Sequence, residues 1–280
     1  MAVSDTTAKP VAEGPELSPP DPLDAEQAAN AGSSSALVWS DGFGGPAGNP
    51  PDPTKWNFDV GGNGWGNEEL QYYTARPGNA RLDGNGNLVI TARAERYRGA
   101  DGVERDYTSA RLQTLEKVEF TYGRLEARIQ VPAGQGLAPA FWTLGDEAYE
   151  GDEGRWPQCG EIDAMEVIGS EPNVLNGTLH GPWPSAPRGI GDELRLPTPL
   201  TADFHTYGVE WEPESVSFLL DGSVYATVSR QDLGPEDPWP FQHPNFLLLN
   251  LAVGGEWPGS PDASTQFPAR MLVDWVRIYR

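Results

Sequence analysis

Residues 160–169 read Gly-Glu-Ile-Asp-Ala-Met-Glu-Val-Ile-Gly, which sets three carboxylates, Glu161, Asp163 and Glu166, within six positions of an otherwise apolar run. Successive side chains of a strand alternate faces, so Glu161 and Asp163 share one face and Glu166 falls on the other. A β-bulge at Ala164 and Met165 removes the conflict: two residues then oppose one on the neighbouring strand, and Glu166 turns back beside the other acids. Two carboxylates facing one space suit the hydrolysis of a glycosidic bond. One attacks or stabilises the anomeric carbon while the other protonates the leaving oxygen. Crowding separates their roles, because negative neighbours raise the pKa of whichever group is least hydrogen-bonded. The plainer reading, a polar strand with three solvated acids, finds little support in the flanking Ile162, Ala164, Met165, Val167 and Ile168.

Other residues could serve a sugar site. Trp142, Trp156 and Trp257 are candidates for stacking platforms, with core packing as the alternative, since indoles do both. His180, in the next predicted strand, could contact a sugar near Glu161; His205 and His243 have weaker claims, and His205 reads as structural. Cys159 is the only cysteine, so no intrachain disulfide forms, and a buried small hydrophobe is its expected role. The segment GDEAYEGDEGRW carries Asp146, Glu147, Glu150, Asp152 and Glu153 just before the acidic strand. It reads as a solvated loop, with a sharper alternative in which its charge raises the pKa of Glu166 or captures a cation.

The elements that must hold these residues are β almost throughout. Gly 33 and Pro 27 in 280 residues suit many short strands joined by turns. In RLEARIQV, Leu125, Ala127, Ile129 and Val131 alternate with Glu126, Arg128 and Gln130, the pattern of a strand with one buried face. Val216, Phe218 and Leu220 alternate before Asp221-Gly222, and Val224, Ala226 and Val228 after it, predicting a hairpin. FLLLNLAVGG lacks alternation and suits a strand covered on both sides. No segment after Val38 sustains the apolar period of an amphipathic helix, so two stacked antiparallel sheets are expected.

Residues 1–36, rich in Pro, Ala, Ser and acids, read as a flexible tail, and 37–280 as one domain. The net charge of −22 argues against nucleic-acid or anionic-membrane partners, while a neutral glycan is compatible. Lysine occurs only at Lys9, Lys55 and Lys117; the acidity fits either salt adaptation or base composition. No secretory signal or transmembrane span is read, and a monomer is the default.

The pattern Glu-Ile-Asp-X-X-Glu resembles the active-site strand of glycoside hydrolase family 16 in its bulged, laminarinase-like form. The likeness is carried across roughly residues 37–280 by GWGNEELQYYT, NLVITAR, YTSARL, YGRLEARIQVPAGQG, PAFWTLG, WPQCGEID, HTYGVEWEP and VDWVRIYR. It implies a concanavalin A-like jelly roll, an all-β sandwich whose concave sheet carries the cleft. It also implies a retaining endo-hydrolase of β-1,3-glucan, with Glu161 as nucleophile, Glu166 as acid/base and Asp163 tuning the pair. The residues alone leave the stereochemistry open, since retention needs carboxyls about 5–5.5 Å apart and inversion about 6.5–9.5 Å. Asn67 and Arg111 match positions that bind sugar hydroxyls or the carboxylates in similar enzymes. No cofactor is implied for the chemistry, but a structural Ca²⁺ is, held by the Gly42 and Gly86 carbonyls and Asp274. Ala138 stands where similar enzymes carry a Trp. That departure shifts the binding register, or lets Trp65 or Tyr72 fill the space, or marks another substrate such as mixed-linkage β-glucan or a galactan. A transglycosylase and a noncatalytic glucan-binding lectin are the remaining alternatives. A polymeric substrate implies a secreted protein.

Overall fold

The computed structural model describes residues 35–149 and 155–280, so nearly all of the expected tail, together with Glu150, Asp152 and Glu153, lies outside the described residues. The strands in chain order begin with β1 (Leu37–Asp41), β2 (Asn57–Asp59), β3 (Gln71–Tyr73), β4 (Ala80–Leu82), β5 (Leu88–Arg98) and β6 (Glu104–Ser109). They continue with β7 (Arg111–Gln113), β8 (Glu119–Phe120), β9 (Gly123–Gln130), β10 (Leu137–Gly145), β11 (Glu161–Glu166) and β12 (Val174–His180). The last are β13 (Ile190–Arg195), β14 (His205–Glu212), β15 (Ser215–Leu220), β16 (Ser223–Ser229), β17 (Asn245–Val253) and β18 (Ala269–Tyr279). Helical structure among the described residues is confined to three short 3₁₀ turns.

Two sheets stack. One runs β16-β15-β14-β9-β18-β5-β6-β3, with β1 beside β18 and β4 beside β5; the other runs β13-β12-β11-β10-β17-β7-β2, with β8 beside β17. The named strand pairings are antiparallel except β3 with β6, where Gln71 faces Tyr107 in parallel register. Leu125, Ile129, Met271 and Val273 of the first sheet and Ile162, Met165, Leu249 and Leu251 of the second join one buried core. Each such side chain contributes roughly 1.5–3 kcal/mol on burial, which is why the alternating strands lie with their apolar edges inward.

β9 follows the expected alternation except at Glu126, which is buried and bonded by Arg124 Nη2 at 2.5 Å. All nine residues of β17 are buried: the sandwich core covers one side and the smaller cluster of Leu144, Cys159, Phe246 and Leu248 lies on the other. The hairpin forms around Asp221 and Gly222, both at positive φ (49° and 77°) as its two-residue turn requires. Its second arm departs from the expected pattern. A register shift between Phe218 and Leu219 leaves Tyr225 as an extra residue, so Val224 is 52 % exposed while Tyr225 packs against Phe218.

Candidate active site

β11 is bulged as its carboxylates require. Against β10, Trp142 faces Asp163 while the next residue, Phe141, faces Met165, so Ala164 is extra. Against β12, Asp163 faces Thr178 and Glu166 faces Asn176, three steps against two. Ile162, Ala164, Met165 and Val167 enter the sandwich core, and Glu161, Asp163 and Glu166 are left together on the open face of the smaller sheet.

Glu161 and Glu166 are partly covered, whereas Asp163 between them is 1 % exposed. Burial pushes the Glu166 carboxyl up to about 7; the Glu161 charge adds to this and His180 opposes it. Glu161 and Asp163 are also held well above the carboxylate range, chiefly by burial, with Asp163 adding for Glu161 and Glu166 adding for Asp163. A hydrogen bond between Glu161 and Asp163 raises the first and lowers the second. Burial and like charge oppose the ionisation of all three acids together, and Glu166 is poised to keep a proton near neutrality.

β12 brings His180 directly opposite Glu161, with Nε2 3.3 Å from Asp163 Oδ2. The pair makes no hydrogen bond, and Asp163 Oδ2 has no hydrogen-bond partner among the described residues. The ligand atoms of Glu161, Asp163 and His180 lie within 4.8 Å of one another, and no other set of three His, Cys, Asp or Glu among the described residues is this close.

Of the expected platforms, Trp156 stands 54 % exposed with its ring 6.1 Å from that of His180, and Trp257 is 46 % exposed on the turn after β17. Neither fills the core. Trp142 lies on the open face, its Nε1 donating to Asn250 Oδ1 at 2.6 Å. Arg111 is no ordinary strand arginine. It donates from Nε to Asp59 Oδ2 at 2.8 Å, and its guanidinium carbon sits 4.7 Å from the Trp142 ring and 4.8 Å from that of Trp65. Asn67 belongs to the far rim: its carbonyl accepts from the Glu256 N–H at 3.0 Å, beside the segment that carries Trp257.

Asn250 was not singled out from the sequence. It bridges Trp142 to the Tyr73 hydroxyl, to which Asn250 Nδ2 donates at 3.2 Å, and buried Glu69 lies next in this network, bonded by Gln71 and Tyr73. Burial raises the Glu69 pKa, and those hydrogen bonds and Arg111 oppose the rise. The clue was an Asn set in the middle of the apolar run from Phe246 to Val253, because a buried amide needs partners.

Beyond Glu166 the open face is low. Ala140 faces Glu166 on one side and Asn250 on the other, and Ala138 faces Ala252. Tyr72 cannot fill that space, being buried against Tyr97 with ring centroids 5.1 Å apart. Trp65 is committed to Arg111 and to Tyr73, 5.4 Å away.

Cys159 is 2 % exposed, and burial with the nearby Glu161 charge pushes its thiol up to about 11, which removes it as a nucleophile. His205 Nδ1 sits 2.8 Å from Asp221 Oδ2 at the hairpin turn, and His243 Nδ1 3.2 Å from Asp146 Oδ1. The expected calcium ligands are brought only partly into line. A side chain on Gly86 would begin 3.9 Å from the Gly42 carbonyl oxygen, so those two backbones adjoin; Asp274 Oδ2 accepts from Arg128 Nη1 at 2.6 Å and already has a cation.

The family model for glycosyl hydrolases family 16 matches residues 67–277. A beta-glucanase of Rhodothermus marinus is 47 % identical over 252 residues, spanning 87 % of this chain and 85 % of that protein. A glucan endo-1,3-beta-glucosidase of Cryptopygus antarcticus is 41 % identical over 233 residues, 80 % of this chain and 82 % of the other. Among solved structures, the laminarinase catalytic domain from Thermotoga maritima MSB8 superposes with a TM-score of 0.81 at 43 % identity, covering 89 % of this chain and 99 % of that one.

Proposed function

The chain belongs to glycosyl hydrolases family 16, and from that premise we propose that it is an endo-hydrolase of β-1,3-glucosidic bonds in β-glucans such as laminarin. The observation that carries the reading is the bulge in β11, which gathers Glu161, Asp163 and Glu166 on one open face. Glu161 attacks the anomeric carbon, forming a C–O bond as the glycosidic bond breaks. Glu166, whose carboxyl keeps its proton to about pH 7, protonates the leaving oxygen. Its carboxylate then takes a proton from water, whose oxygen releases the glycosyl group from Glu161, so the configuration is retained. Asp163 tunes the charge of the pair through its hydrogen bond to Glu161. Trp142, Trp156 and Trp257 stack on sugar rings, while Asn67, Arg111 and His180 contact hydroxyls or orient the carboxylates.

Mass spectrometry of products from laminarin, curdlan, lichenan and agarose, with Glu161→Gln alongside, tests this. Short glucan ladders from laminarin that vanish in the variant are expected; intact laminarin with another polymer cut would replace the substrate. The low floor at Ala138 favours one second reading, the same mechanism on a mixed-linkage β-glucan or a galactan. Under the first reading, Ala138→Trp tightens laminarin binding; under the second, it weakens activity on the true polymer.

A structural calcium ion would be held by the carbonyls of Gly42 and Gly86, with Asp274 sharing its carboxylate between the ion and Arg128. A melting temperature unchanged by chelator would remove that site. The protein acts as a monomer, which light scattering checks, and outside the cell, where a polymer too large to cross a membrane is met.

A further inference from the structure

The cleft holds one imidazole among three acids, and its surroundings give it more to do than touch sugar. His180 faces Glu161 across the β11–β12 ladder and brings Nε2 to 3.3 Å from Asp163 Oδ2, a buried oxygen with no hydrogen bond among the described residues. On the other side of the ring is Gly189, at φ +87°, where any Cβ would come within 2.7 Å of His180 Nδ1. Trp156 covers a further side at 6.1 Å. The chain thus keeps a slot clear for the imidazole and holds it toward Asp163. Among the described residues, the charged groups facing it come from β11: Glu161, Asp163 and Glu166. Gly189 and Trp156 present none, while Arg155 and Arg188 on the flanking turns are exposed to solvent. Arg111, from across the floor, favours the charged form of Glu161.

Attack requires a charged Glu161, yet burial and the neighbouring Asp163 charge oppose its ionisation, and Glu166 must keep a proton of its own. A cation lying against Asp163 resolves this. We propose that His180 is a positioning residue acting through Asp163: set against Asp163 Oδ2, it is the internal counter-charge that lets Glu161 give up its proton while Glu166 keeps its own. The proton leaves to solvent and no bond is made to His180. The inference rests on the roles assigned to Glu161 and Glu166 above. In support, His180 favours the charged forms of both Glu161 and Glu166, against the burial and mutual repulsion that oppose them.

The test is the pH dependence of kcat/KM on laminarin for the unmodified chain, His180→Gln and His180→Asn, each of which keeps a polar side chain without its charge. An opposite charge at this range moves a carboxyl by about one pH unit or more. Both limbs of the profile are expected to move up by about one unit in the variants. Activity on the acid limb then falls about tenfold relative to that at the plateau. A profile that only scales down overturns the proposal in favour of a structural role, and a raised KM with unmoved limbs overturns it in favour of a sugar contact. Carboxyl carbon-13 titration of glutamate-labelled protein reads the same shift without substrate. If no β-glucan is cut but the Glu161 and Glu166 titrations still move up in the variants, the assigned substrate fails and this inference stands; if they do not move, the inference fails.

Discussion

The bulges in β11 and in the β15–β16 hairpin are the same backbone device under opposite demands. Each inserts one residue and shifts the facing of those beyond it. In β11 the shift carries Glu166 out of the core and into a crowd of like charge, raising the pKa of every acid involved. In β16 it carries Tyr225 inward over Phe218 and turns Val224 to solvent, trading one apolar contact for a larger one. The first bulge works against stability to serve chemistry, and the second serves packing. A bulge is therefore informative through the side chain it re-aims, since its backbone geometry is common to both.

Substitutions can break this contrast. The largest effect is expected at Glu161→Gln and Glu166→Gln, each lowering kcat about 10³-fold by steady-state assay. Glu166→Gln also exposes the stability that the first bulge gives up. With its carboxyl raised from the ordinary value to about 7, Glu166 adds stability that is fully present below about pH 4.5 and lost as pH rises through about 7. A glutamine cannot ionise, so the variant's melting temperature should gain on the parent's between pH 5 and pH 8, by a few degrees in scanning calorimetry. A variant that loses ground on the parent over that range would contradict the assignment.

Deleting Ala164 sharpens the comparison. The strand then reads Glu-Ile-Asp-Met-Glu, and simple alternation keeps all three acids on one face. Activity is expected to fall only about 10- to 100-fold, from displacement of the carboxyl rather than its loss. A loss equal to that of Glu166→Gln would mean that the bulge does more than restore facing. In the hairpin, Tyr225→Phe removes a buried hydroxyl with no hydrogen bond among the described residues, so stability should stay level or rise by up to about 1 kcal/mol in urea unfolding, with kcat unchanged. Val224→Thr, at a surface position, should move stability by less than about 0.5 kcal/mol.

The contrast also accounts for what the sequence made legible. The β11 bulge could be inferred because charge marks a face: without an extra residue Glu166 would enter the core. The β16 bulge could not, because Val224, Tyr225 and Ala226 are all acceptable inside and alternation has no preferred phase among them. The sandwich and the covered β17 followed from periodicity, while the parallel pairing of β3 with β6 depends on distant chain segments that no local pattern encodes. At the site, residue type identified the acids, the indoles and His180. The guanidinium of Arg111 between Trp65 and Trp142 required the register of β2, β7 and β17 to become apparent.

The single thiol has a practical consequence. Cys159 is sealed two residues ahead of Glu161 and its burial keeps it in the unreactive thiol form. A thiol reagent can modify the folded chain only when this stretch opens, so labelling becomes a clock for the local opening of the acidic strand, set into the native sequence with no engineered reporter.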